Sequence, residues 1–138
     1  MSPKVIIADE AVSALDVTIK AQIIELMIDL QKDFEVSYLF ISHDMAAVEK
    51  ICDRIAVMYF GEIVEIGNCA DVIGRPGHAY TQRLLSAIPI THPDQRKLRA
   101  EHVMDVTAPR SAMRALGYQA PTPRWSIAGE NHFIRLES

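Results

Sequence analysis

Val5-Ile6-Ile7-Ala8-Asp9-Glu10 decides the fold, because an unbroken apolar run stops abruptly in two carboxylates. A run of this length, bounded by polar residues, has the pattern of a strand in a parallel sheet covered on both faces. Outward from it, the next periodic stretch fits a helix from residue 17 to about residue 32. Asp16 is placed as its N-cap, and Val17, Ile23, Ile24, Met27, Ile28 and Leu30 are its apolar positions. Val36 to Ile41 gives a second buried-type strand, and Met45 to Cys52 reads as a short helix. Arg54 to Tyr59 and Glu62 to Ile66 are strand-like runs around Phe60-Gly61, a hairpin signal. Short helices at about 69–74 and 78–88 follow, with Pro76-Gly77 between them. Strand, helix, strand, helix in this order predicts an α/β fold with a mostly parallel sheet and a right-handed crossover.

The texture changes at Pro89. Prolines at 93, 109, 121 and 123 interrupt any long pattern beyond it, so residues 89–138 are expected to be a largely irregular extension with one helix near 94–103. Residues 1–88 then form the domain proper. Of the 138 residues 49% are hydrophobic and the formal net charge is −4, a globular composition without the basic excess of a nucleic-acid binder. Cys52 and Cys69 have no C-x-x-C spacing, which suits a reducing cytoplasm and offers neither a metal cage nor a disulfide framework. No run of 18 apolar residues is present, and Met1-Ser2-Pro3-Lys4 leads straight into the first strand without the pattern of a signal peptide. Service to a membrane would therefore go through a partner, without direct insertion.

Open α/β sheets keep ligand chemistry at the C-terminal ends of their parallel strands. Asp9-Glu10 and Ser42-His43-Asp44 occupy those two places. Adjacent carboxylates at a buried strand end need a cation or a hydrogen-bond network to compensate them. In a nucleoside triphosphatase Mg²⁺ compensates them: one carboxylate holds the ion through water, and the other polarises the water that attacks the γ-phosphate. Alone, the pair also fits a solvated loop, and His43 alone fits a structural histidine. The combination carries more: Asp9-Glu10, Ser13-Ala14-Leu15-Asp16 and Ile41-Ser42-His43-Asp44 follow in order at helix-sized spacing.

With those residues in view, the chain resembles the ATPases of ABC transporters. Residues 5–10 look like their Walker B strand, Ser13-Ala14-Leu15-Asp16 like their D-loop, and His43 like their switch histidine. Residues 54–67 are similar to the strands that close their catalytic domain. Pro76-Gly77-His78-Ala79-Tyr80-Thr81 and the run on to Pro89 look like the oligopeptide, dipeptide and nickel importer branch. The family usually has Pro-Thr after the Walker B glutamate. Ala11-Val12 stands here instead, as in proteins resembling glutathione importers with two fused ATPase domains.

The resemblance implies that Asp9 helps place Mg²⁺ and that Glu10 orients or deprotonates the attacking water. It also implies that His43 contacts the γ-phosphate of ATP, that Asp9, Ser13 and Asp16 belong to the nucleotide-binding residues, and that Asp16 lies at an interface with a second ATPase domain. Transmembrane permease subunits and an external solute-binding protein are the further partners implied, with the chain peripheral on the cytoplasmic face. No G-x-x-x-x-G-K-[ST] loop, LSGGQ-type signature or glutamine loop occurs in the chain. The expectation is a C-terminal fragment, inactive alone, in which the strands at 36–41 and 54–59 face the gap left by a missing Walker A strand. A non-catalytic remnant or interaction module shares every motif and stays open. A receiver-like phosphoacceptor domain would need strands ending in an accepting aspartate and a lysine, yet these runs end in Ser42-His43 and Phe60-Gly61. His78, His92, His102 and His132 lack metal-ligand spacing.

Overall fold

The computed structural model describes residues 3–87 and 122–136. The chain divides into two units, Met1–Asp53 and Arg54–Ser138. In the first, β1 (Val5–Asp9), α1 (Val17–Phe34), β2 (Ser37–Ile41) and α2 (Met45–Ile51) follow in order. β1 and β2 pair in parallel, with Ile7 opposite Leu39 and Asp9 opposite Ile41. The register thus brings the two predicted chemical loops out at the same end.

α1 starts where the sequence places its cap. The amides of Thr18 and Ile19 both donate to Asp16 Oδ1 at 3.0 Å, which satisfies two of the donors that a helix N-terminus leaves unpaired. It ends at Glu35, whose φ of 50° is left-handed. Ile24 of α1 packs with Val12 and Ala47 at the centre of this unit's core, and Leu15, Ile23, Ile28, Phe40 and Ile51 surround them. Phe40 points into that cluster, so the helices cover the face of the strand pair that carries Ala8 and Phe40. The opposite face is open: Val5, Ile7, Leu39 and Ile41 are 59%, 66%, 53% and 45% exposed. The pattern of two-sided burial is therefore met on one side only. Val17 and Leu30, counted among the apolar positions of the helix, are exposed as well.

The second unit contains β3 (Arg54–Tyr59), β4 (Glu62–Asn68), α3 (Cys69–Gly74), α4 (Ala79–Ser86), β5 (Arg124–Gly129) and β6 (His132–Leu136). Its sheet has the order β3-β4-β6-β5, and every pairing in it is antiparallel. This corrects the expectation of a mostly parallel sheet, because among the described residues only the β1–β2 pair is parallel. Tight turns are the cause. Phe60 and Gly61 at φ 48° and 77° supply the two successive positive values that a two-residue hairpin needs, and Asn131 at φ 59° helps turn β5 into β6. Within the stretch expected to be a largely irregular extension, the described residues form the β5–β6 hairpin. Pro121 and Pro123 precede β5 and do not interrupt it, leaving room for a short hairpin that a search for long periodicity passes over. The helix near 94–103 and the 88/89 boundary lie outside the described residues.

The register of β3 on β4 shifts between Val57 and Met58, so that Val64 is an extra residue opposite neither. A bulge of this kind resets strand alternation, and Val64 and Glu65 are consecutive yet both buried. Glu65 is fully buried and fully engaged. Gly77 and His78 amides donate to its two oxygens at 2.9 and 3.0 Å, and His132 Nε2 lies 2.6 Å from Oε1. Glycine suits position 77, since a Cβ there would come within 1.9 Å of Ile134 Cδ1 and force that side chain to shift. Arg135 pairs with Glu62 at 3.0 Å across the same two strands. Among the described residues β2 ends its sheet and β3 ends the other, each with one unpaired edge. Among the described residues no helix is long and apolar enough to cross a membrane.

Candidate functional site

The candidate site lies within the first unit, where β1 and β2 end. Asp9 is the last residue of β1 and exposed; its carboxylate has no hydrogen-bond partner among the described residues. Glu10 follows at φ 50°, a left-handed conformation uncommon outside glycine and asparagine. Its amide donates to Ile41 O at 2.9 Å, which ties the first loop to the end of β2. Its carbonyl accepts from the Ser13 amide at 3.1 Å and from Ser13 Oγ at 2.9 Å, closing a tight turn.

That turn aims the Glu10 side chain at the second loop. His43 Nδ1 lies 2.9 Å from Glu10 Oε1, joining residues 33 positions apart. His43 and Glu10 are 76% and 44% exposed, so the pair is open to a ligand and to water. The structure thus unites Glu10, Ser13 and His43. Asp16 points elsewhere, with Oδ1 spent on capping α1. Asp9 stands beside this group without bonding to it.

Two residues near the site went without a role in the sequence reading. Asp44 follows His43 and caps α2, with Oδ1 accepting from the Ala46 and Ala47 amides at 3.1 and 3.3 Å. Its Oδ2 is paired to the ammonium of Lys20, one turn into α1. That hydrogen bond holds the Asp44 carboxyl below the usual carboxylate range, against the upward push of partial burial. The Asp44 amide in turn donates to Ser42 Oγ at 3.0 Å. Ser42-x-Asp44 ahead of an apolar helix was a legible cap signal; Lys20 offered none, because its partner is 24 residues away.

Among the described residues no group of three or more His, Cys, Asp or Glu side chains is placed to hold a metal ion. A single free carboxylate at a strand end fits the way Mg²⁺ is bound beside a nucleotide, through one or two carboxylates, waters and the phosphates.

Comparison with known proteins gives the chain's relatives. Residues 64–112 match the family described as the oligopeptide/dipeptide transporter, C-terminal region. Over 134 residues, 97% of this chain, it is 52% identical to the glutathione import ATP-binding protein GsiA of Pectobacterium atrosepticum. Identity to the protein of the same name is 48% over the same length in Escherichia coli K12 and in Shigella flexneri serotype 5b. The chain spans about a fifth of these relatives, 21% of each. Residues 64–112 are thus a C-terminal region of the oligopeptide/dipeptide transporter type, in a chain similar over nearly its whole length to a fifth of the glutathione import ATP-binding proteins.

Proposed function

We propose that the chain supplies the hydrolytic side of the ATP site in an importer of small peptides, with glutathione as the foremost candidate solute. One observation carries this: the Glu10 carboxylate and His43 imidazole meet at the C-terminal ends of two parallel strands, beside a free Asp9. Glu10 Oε1 is engaged by His43, which leaves Oε2 to take the proton of an attacking water. In its imidazolium form His43 would donate to Glu10 through Nδ1 and to a γ-phosphate oxygen through Nε2. Asp9 would hold Mg²⁺ through water, and the ion would offset phosphate charge there. Asp16 caps α1 and leaves Oδ2 for a contact with a second ATPase domain. Permease subunits and an external solute-binding protein complete the assembly in this reading, on the cytoplasmic face of the membrane.

Within these 138 residues no glycine loop cradles phosphates. Positioning and electrostatics are nearly all of phosphoryl-transfer catalysis, so the chain alone is expected to be inactive. That same absence supports the second reading, a non-catalytic interaction module.

A chimera tests the choice, with this chain replacing the matching 134 residues of the Escherichia coli relative. The importer reading expects ATP hydrolysis and glutathione uptake. Glu10→Gln should keep ATP binding and cut hydrolysis at least a hundredfold, on the order of a lost general base. A folded chimera that binds ATP but does not hydrolyse it would leave the interaction module standing.

A further inference from the structure

The Glu10–His43 pair poses a problem of magnitude. Exposed ion pairs are worth ~0–1 kcal/mol, too little to hold two mobile side chains in one geometry. His43 sits in a loop, and its own contact with Glu10 is open to solvent. Something else must fix the loop.

The next residue provides it. Asp44 makes three contacts at once: two amides at the start of α2 and the ammonium of Lys20. Lys20 and Asp44 are only 22% and 24% exposed, in contrast with the open pair beside them. The Lys20 amide donates to Asp16 O at 2.9 Å, so this lysine is rooted in the capped first turn of α1. The contacts close a ring. Asp16 starts α1, Lys20 carries α1 to Asp44, Asp44 adjoins His43, His43 reaches Glu10, and the Glu10 carbonyl returns to Ser13 just ahead of Asp16.

We infer that Lys20 is a positioning residue: by anchoring Asp44 it fixes His43 with Nδ1 toward Glu10. Its importance for turnover rests on the ATPase reading; its effect on the imidazole does not. The depressed Asp44 carboxyl agrees, since that shift arises first from the Lys20 hydrogen bond. A salt bridge that merely stabilised the unit would leave the tautomer of His43 untouched. A positioning link sets it, because a neutral imidazole that donates to Glu10 must carry its proton on Nδ1.

The test reads that proton. The chain has five histidines, so ¹⁵N-histidine labelling and long-range ¹H–¹⁵N correlation resolve each ring at a pH where imidazole is neutral, with His43→Gln identifying the signal. Wild type should show the Nδ1–H form at His43. Lys20→Met should lower the ratio of Nδ1–H to Nε2–H about threefold, the size of a weak exposed pair set free. Lys20→Arg should restore it. If Lys20→Met does not fold, Asp44→Asn keeps a cap acceptor, removes the charge pair, and should lower the ratio equally. An unchanged ratio in either variant, with α1 and α2 amides intact, overturns the proposal. In the chimera Lys20→Met should lower kcat about threefold and leave KM for ATP unchanged. A tautomer shift in a chimera that never hydrolyses ATP would keep the positioning role and remove the ATPase reading.

Discussion

Glu10 is held in a left-handed backbone conformation, which costs a residue with a Cβ about 1–3 kcal/mol. Asparagine tolerates that region better. Glu10→Asn is therefore expected to leave stability unchanged or raise it by a few tenths of a kcal/mol, while removing hydrolysis in the chimera. Urea midpoints and ATPase rates on the same samples give both numbers. A loss of more than ~1 kcal/mol would mean that the Glu10–His43 contact is structural. Asp44 makes a second prediction, with its sign set by linkage. Its folded value lies below that of the unfolded chain, so its contribution is complete above about pH 4 and lost as pH falls through the depressed value. Acid should therefore destabilise the wild type more steeply than Lys20→Met, in which the carboxyl returns toward its ordinary value. Parallel acid titrations of the urea midpoint would show the two curves converging below pH 4; parallel curves would contradict the pairing.

At the scale of elements, what the sequence shows and what it hides have separate physical causes. Asp16 and the start of α1 were legible because a cap acts over three residues, and Asp16→Ala should cost ~1 kcal/mol by thermal melt. Asp9, Glu10 and His43 were legible as strand-end residues because two strands of like character bracket a helix. The antiparallel second sheet was half legible. Phe60-Gly61 announced its first turn, but the return of β6 to β4 over some 65 residues has no local signal. Glu65 is the clearest case. A glutamate in a strand reads as solvent-facing, and only the bulge beside it turns it inward to His132, 67 residues away. Removing His132 takes away one of the three hydrogen-bond partners of the buried Glu65 carboxyl, at ~1–3 kcal/mol. His132→Leu should show that loss in chemical denaturation, with faster hydrogen exchange along β6. Undiminished β6 protection would mean that strand pairing alone holds the hairpin.

For the molecule as a whole, the decisive quantity is apolar surface left in water. The face of Val5, Ile7, Leu39 and Ile41 and the side chains of Met58, Trp125 and Ile127 are exposed. Among the described residues the edges of β2 and β3 are unpaired, which adds backbone donors and acceptors to that surface. Monomers seldom leave contiguous apolar patches and free strand edges together, because both recruit other chains. The strands have the composition of two-sided burial, and the described helices of the first unit cover one side. The chain by itself is therefore expected to self-associate, with sedimentation velocity showing species larger than 15.4 kDa that grow with concentration. Ile7→Lys with Leu39→Lys should reduce that association, since charges on the open face oppose stacking while Ala8 and Phe40 keep the helix-covered core. In the chimera the same pair should be damaging if the relative's additional chain covers this face. A monodisperse wild-type monomer with one cooperative melt would mean that the open face is tolerated in water, and the expected gap beside β2 would lose its physical basis.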